Sequence, residues 1–213
     1  MFDYNCDLAQ EYGVYKDLGQ FEIAKYMSSV NIACGFHSGD PMSIKKALEF
    51  AKENNLAIGA HIGFQDIAGF GNTKVYLEDE CLEALIVYQL SAISAYASMM
   101  SLEIEHVRLH GAMYSMLNED IEYAKKIATI IKKFNPWLNL FVGNYETKKV
   151  IVEEIGINCV FEKTFNENSS IREFREGENV PDSLHFTSVE CAKRAWDVIH
   201  PTPVNYNRVG VEI

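Results

Sequence analysis

His106-Val107-Arg108-Leu109-His110 decides the fold. Side chains on an extended strand alternate between faces with period two, so His106, Arg108 and His110 share one face while Val107 and Leu109 take the other. The same reading applies to Asp3, Asn5 and Asp7 opposite Phe2, Tyr4 and Cys6, and to Asn31, Ala33, Gly35 and His37 opposite Ile32, Cys34 and Phe36. A further strand ends at His61. Helical-period segments separate these strands, and strand-helix-strand repetition means parallel strands. An open sheet covered by helices on both faces asks for continuous apolar strands, which these are not. A polar face on four consecutive strands suits a closed barrel with a functional interior and helices outside. The expected fold is an α/β, (β/α) barrel.

Outward from this segment, six strand-length apolar runs are read at Phe2–Cys6, Val30–Cys34, Ala57–Ala60, Ile104–Leu109, Leu138–Val142 and Ile157–Phe161, with a seventh left open. Ile44, Ala47, Leu48 and Ala51 recur at helical spacing behind Asp40-Pro41, an N-cap followed by a first helical proline. Leu82, Leu85, Ile86, Leu90, Ile93 and Ala97 mark a longer helix. Ile121, Ala124, Ile127, Ala128 and Ile131 mark another, behind a cap region at Asn118-Glu119-Asp120. Segments 145–155 and 188–199 are also read as helical. Residues 1–213 are taken as one domain, with an irregular tail from about 200 around Pro201-Thr202-Pro203.

Composition narrows the function. The 213 residues are 48% hydrophobic and 23% charged, enough for a sizeable core and too apolar for a disordered chain. Thirty acidic residues against nineteen basic give a net charge of -11, and no basic run is present, so nucleic acid is not an expected partner. No basic leader precedes an apolar run at the start, and the apolar stretches read as broken short of the ~18 residues that span a bilayer. The expectation is a cytoplasmic protein with no membrane partner. Five scattered cysteines without a C-x-x-C pair indicate neither a disulfide framework nor a zinc ribbon.

Ligands of parallel α/β folds sit at the carboxyl ends of the strands. Asp7, the Gly35–Asp40 segment, His61 and His110 all fall there. Aspartate and histidines at adjacent strand ends are raw material for a divalent metal site with an open position, and equally for metal-free acid and base catalysis. His106 and His110 resemble an H-x-x-x-H zinc pair, but on a strand they stand about 13 Å apart at ~3.3 Å per residue and cannot share an ion. His110 is the site candidate of the two. No P-loop, G-x-G-x-x-G or G-x-S-x-G is present.

Asn5-Cys6-Asp7-Leu8, the Asn31–Pro41 block NIACGFHSGDP, Ala57–His61 with Gly69-Phe70-Gly71, and His106–Tyr114 together resemble the LamB/YcsF family over about the first 165 residues. Members of that family are the A subunits of the bacterial ATP-dependent 5-oxoprolinase. The resemblance implies a barrel of the glycoside hydrolase/deacetylase type, opening of the 5-oxoproline lactam to L-glutamate, ATP consumed by the complex, and subunits B and C as partners. Three departures stand out. Asp7-Leu8-Ala9-Gln10 replaces the family's D-L-G-E, Phe161-Glu162-Lys163-Thr164 replaces F-A-D-R with loss of an aspartate, and no late H-G-D is present. The expectation is therefore a barrel incomplete at its C-terminal end.

On this reading Asp7, His61 and His110 carry catalysis and are the residues offered to a divalent metal. Asn5, Asn31, His37, Asp40 and Arg108 contact the substrate. Two other readings stay open: a metal-dependent deacetylase or amide hydrolase working without ATP, and a non-catalytic member that binds a partner.

Overall fold

The computed structural model describes residues 3–12, 19–170, 174 and 180–199. Seven parallel strands follow one another around a closed barrel: β1 (Asp3–Leu8), β2 (Ser29–Ala33), β3 (Ala57–Ile62), β4 (His106–Leu109), β5 (Asn139–Val142), β6 (Cys159–Phe165) and β7 (Ser183–Phe186). Each pairs with its sequence neighbour, and β7 returns to β1 through Asn5 opposite His185. The helices are α1 (Gln20–Ala24), α2 (Pro41–Asn54), α3 (Asp79–Met99), α4 (Gly111–Glu119), α5 (Ile121–Phe134), α6 (Tyr145–Val150) and α7 (Val189–Ile199). A wide helical turn, Ile151–Ile155, extends α6.

Local chemistry accounts for the helix starts. The Asp40 carboxylate accepts from the Met42 and Ser43 amides, and Ser43 answers through its hydroxyl on the Asp40 amide, a complete capping box with Pro41 inside it. Asp120 caps α5 through the Glu122 and Tyr123 amides, and Lys132 and Lys133 sit in its last turn, opposite in sign to the helix end. Asn118 and Glu119, read as part of this cap, instead finish α4.

Three expectations are corrected. The barrel is closed, so the missing last unit is present: β7 and α7 supply it. The helix was read at 188–199, but β7 escapes the sequence reading because it has only four residues, with His185 in their midst, behind a polar stretch. β6 runs four residues past Phe161, where the sequence reading ends the strand, and carries Glu162 into the barrel wall. α3 is long and apolar enough by length and composition to cross a membrane, since Leu82–Met99 holds a single charged residue, Glu83. Its Leu82, Ile86, Leu90, Ile93 and Ala97 are buried, and it packs on β3 and α5. The tail from 200 lies outside the described residues.

Register makes the interior a stack of polar layers in place of the branched aliphatics that usually fill such barrels. Asp3 lies opposite Ser183, Asn5 opposite Ser29 and His185, Asp7 opposite Asn31, and His61 opposite Arg108. Apolar side chains of the alternate positions, among them Leu8, Ile32, Ile62, Val107 and Leu140, face outward and are buried under the helices. One glycine is indispensable to this interior. A Cβ on Gly59 would stand 2.0 Å from His106 Nε2, so only glycine lets that imidazole lie across the barrel. Gly59→Ala is expected to lower stability by about 1–3 kcal/mol, the usual cost of overpacking, measured as a shift in the urea midpoint at unchanged slope.

Candidate active site at the carboxyl end of the barrel

β1 ends in Asp7, and its two oxygens organise the site. Oδ1 accepts from Asn31 Nδ2 at 3.0 Å and from Arg108 Nη1 at 3.4 Å. Oδ2 accepts from Gln10 Nε2 at 3.3 Å and lies 3.3 Å from His61 Nε2 and 3.6 Å from His185 Nε2. Burial pushes the Asp7 carboxyl upward, but the charges of Arg108 and of His61 and His185 when protonated outweigh it and hold it well below the usual carboxylate range. Ala9 turns the chain at φ 59°, left-handed backbone, and the following Gln10 returns its amide to Asp7.

Beneath Asp7 each proton position follows from its neighbour. The carboxylate only accepts, so the Asn31 amide nitrogen faces it, and Asn31 Oδ1 receives the His106 Nε2 proton at 2.8 Å. Asn31 Nδ2 also donates to Asn5 Oδ1 at 2.8 Å, which in turn takes the His185 Nδ1 proton at 2.8 Å. Asn5 Nδ2 donates to Ser183 Oγ at 2.8 Å, and Ser183 Oγ to Asp3 at 2.6 Å. Asn5 and Asn31 are wholly buried in this network, below the cluster, where they hold Asp7. Burial draws the His106 and His185 imidazoles down to about 4, so both are neutral near pH 7.

Across the barrel, Arg108 Nε donates to Glu162 at 2.9 and 3.2 Å, and its guanidinium lies 5.0 Å from the Tyr114 ring centroid. Both members of this ion pair are buried. Burial opposes ionisation of Glu162, but Arg108 outweighs it and lowers its carboxyl below the ordinary value. Asp7 and Glu162 thus face one guanidinium, and these three groups together carry one negative charge in excess.

His37, His61 and His110 crowd the mouth. His61 Nδ1 meets the Arg108 carbonyl at 3.0 Å and His110 Nε2 the Phe70 carbonyl at 2.7 Å. Carbonyls only accept, so in the neutral rings these nitrogens carry the protons. The inner nitrogens, His61 Nε2 and His110 Nδ1, face each other 3.0 Å apart, with Asp7 Oδ2 3.3 Å from the former. Burial holds His110 down to about 4 and His37 well below its ordinary value. His37 stacks on His110 with centroids 3.9 Å apart and planes 6° from parallel, and both its ring nitrogens are buried without a partner. One ligand atom from each of His37, His61 and His110 falls within 4.8 Å of the others, a donor set that fits a divalent transition metal.

The structure therefore gathers Asp7, His37, His61, Arg108 and His110 from the expected set. Asp40 instead commits a carboxylate oxygen to capping α2. His106 and His110 are separated as strand geometry requires; His106 lies deeper, stacked on Phe141 at 4.4 Å. Sequence reading missed Glu162 and His185. Only their period-two placement could have found them: Glu162 alternates with the buried Phe161, and His185 with Leu184 and Phe186.

Comparison with known proteins gives this arrangement a context. The model of the LamB/YcsF family matches residues 2–198. A protein of Geobacillus kaustophilus, named as the A subunit of 5-oxoprolinase, is 42% identical over 139 residues, 65% of this chain and 54% of that protein. Its namesake from Oceanobacillus iheyensis is 38% identical over 75% of this chain and 62% of its own length. The chain thus spans less than two-thirds of these relatives. A third namesake, from Bacillus thuringiensis, is 35% identical over 99% of this chain and 85% of its own length. Among solved structures, the lactam utilization protein of Thermus thermophilus superposes with a TM-score of 0.82 at 29% identity, covering 94% of this chain and 96% of that one.

Two outcomes are expected of the site residues. His106 and His185 titrate near 4 when folded and near 6.5 when unfolded, so the unfolded chain binds more protons between those values. Stability falls as pH is lowered from 6.5 to 4, and His185→Gln flattens that slope in urea melts. Ala9→Gly relieves the left-handed backbone and raises stability by up to about 1 kcal/mol, read from the same melts.

Proposed function

Since the chain belongs to the LamB/YcsF family, we propose that it works as the A subunit of an ATP-dependent 5-oxoprolinase, opening 5-oxoproline to L-glutamate together with subunits B and C. The observation that carries this reading is the meeting of Asp7, Arg108 and the three mouth histidines at the end of the barrel where loops gather. On this proposal the complex spends ATP in the cytoplasm to phosphorylate the lactam oxygen, because an amide is a poor electrophile. This chain then hydrolyses the activated ring.

The residues suit that division of labour. Arg108 is a permanent cation already flanked by Asp7 and Glu162, and it offers its charge to the anionic groups of the substrate. Asp7 stays ionised throughout the working pH range, so it is always an acceptor for the proton of a water molecule placed against its Oδ2. The water oxygen adds to the ring carbon, and Asp7 passes the proton to the ring nitrogen as the C–N bond breaks. Protonating the nitrogen favours departure of the amine over departure of phosphate. The acyl phosphate left behind is hydrolysed by a second water to the carboxylate and free phosphate. Asn5, Asn31 and Gln10 keep Asp7 in place, and His61 and His110 present ring nitrogens beside it. A divalent metal held at the mouth, for which Asp7, His61 and His110 are the ligands expected from sequence, would supply Lewis-acid polarisation of the reacting carbonyl or water.

The same imidazole-rich mouth favours a second reading, an amide hydrolase on a small acylated substrate that needs a metal but no ATP. Glutamate release from 5-oxoproline, with and without ATP and with subunits B and C added, separates the two. Release is expected only in the full mixture with ATP. Asp7→Asn is expected to lower it at least about 100-fold with the fold retained, in the range of lost acid and base catalysis. Undiminished release by Asp7→Asn would remove Asp7 from the mechanism, and no release by the wild-type chain beside competent partners would overturn the assignment.

A further inference from the structure

Among the described residues at the mouth, His37 is the histidine with nothing to bond. It is 1% exposed and both ring nitrogens lack a partner, whereas each neighbour has its outer nitrogen tied to a backbone carbonyl. Buried polar atoms are almost always paired, so two unpartnered ring nitrogens beside the inward-facing nitrogens of two further imidazoles point to a ligand. We propose that His37, His61 and His110 form a three-histidine centre for a single divalent transition metal of the zinc or cobalt type, with Asp7 left outside it as proton acceptor. This goes beyond the lactam reading and holds whatever amide the site cleaves.

Four observations support this ligand set. His61 Nε2 and His110 Nδ1 face each other 3.0 Å apart, where one cation can lie against both. Their Nδ1–H and Nε2–H bonds to the Arg108 and Phe70 carbonyls are the outer contacts that ordinarily orient metal-binding imidazoles. Asp7 is already engaged by Asn31, Gln10 and the Arg108 guanidinium, and that positive charge opposes its use as a ligand. The three rings also share one small space, their centroids 3.9 to 5.1 Å apart. An all-imidazole set selects zinc, cobalt or nickel over magnesium and calcium, which take oxygen ligands.

Binding requires one movement. The parallel stack leaves any ion between His37 and His110 outside both ring planes, and ligand atoms up to 4.8 Å apart exceed the roughly 3.4 Å edge of a tetrahedral site with bonds near 2.1 Å. Rotation of the His37 ring out of the stack brings its nitrogen onto the ion. Gly63 and Gly71 let His37 pack this closely: a Cβ on Gly63 would stand 2.7 Å from His37 Nδ1, and one on Gly71 2.8 Å from His37 Cβ.

The test is metal binding by the full chain, stripped with a chelator and titrated with Zn²⁺ by calorimetry and with Co²⁺ by visible absorption. One ion per chain is expected, with the strong visible band of four-coordinate cobalt, and excess Mg²⁺ does not displace it. His37→Ala weakens Zn²⁺ binding at least about tenfold, while Asp7→Asn changes it less than about threefold. Gly63→Ala keeps every histidine but obstructs His37, so it weakens binding too and decides the matter if His37→Ala does not fold by circular dichroism. Absence of a stoichiometric ion overturns the proposal, as does a metal lost in Asp7→Asn but retained in the His37 and Gly63 variants. Zinc bound by a chain that releases no glutamate with competent partners would count against the lactam reading alone.

Discussion

The Asp7 carboxylate can only accept hydrogen bonds, and the interior of the barrel is arranged around that fact. Its Oδ1 turns the Asn31 amide, Asn31 turns His106, and the Asn5 carbonyl oxygen between Asn31 and His185 sets the proton of the latter. No member of this network can flip its amide or exchange its tautomer without stranding a neighbour, and in a dry interior a stranded polar group is costly. A carboxylate held this way is in place before any ligand arrives, so no reorganisation is needed when charge develops beside it.

The Arg108–Glu162 pair makes that carboxylate tolerable in the interior. A guanidinium with one buried acid and another at 3.4 Å would be poorly compensated by either alone, and removing one partner of such a pair leaves a charge without water. The pair joins β4 to β6 over the intervening β5, and Arg108 also reaches Asp7 on β1. Their shared position near the mouth places a paired cation beside the three histidines.

Much of this was legible in the strands. The alternation in His106–His110 and in Asp3–Asp7 is a property of extended backbone, so it survives without knowledge of the fold, and it identified the barrel, Asp7, His61 and His110. The capping of α2 by Asp40 was equally local, and it is the reason Asp40 contributes to a helix end instead of to the cluster. Asn5 and Asn31 read as substrate contacts because an inward polar residue on a strand is visible, whereas its depth below the rim is not. Glu162 and His185 were hidden for a related reason. Each lies in a stretch whose strand character comes from pairing with neighbours, Glu162 opposite Ser183 and Asn5 opposite His185, and such pairing has no signature in a short polar run.

By itself the sequence determined which residues face inward, where α2 and α5 begin, and that histidines and an aspartate gather at one end of parallel strands. These follow from period, cap chemistry and chain connectivity, which act between residues near in sequence. Only the tertiary structure decided that seven strands close, that Arg108 finds Glu162 two strands away, that the inner nitrogens of His61 and His110 meet, and that the His37 ring nitrogens are left without a partner. Those are contacts between residues 49 and more positions apart or a missing contact, and they depend on shear, depth and desolvation that exist only once the barrel has closed.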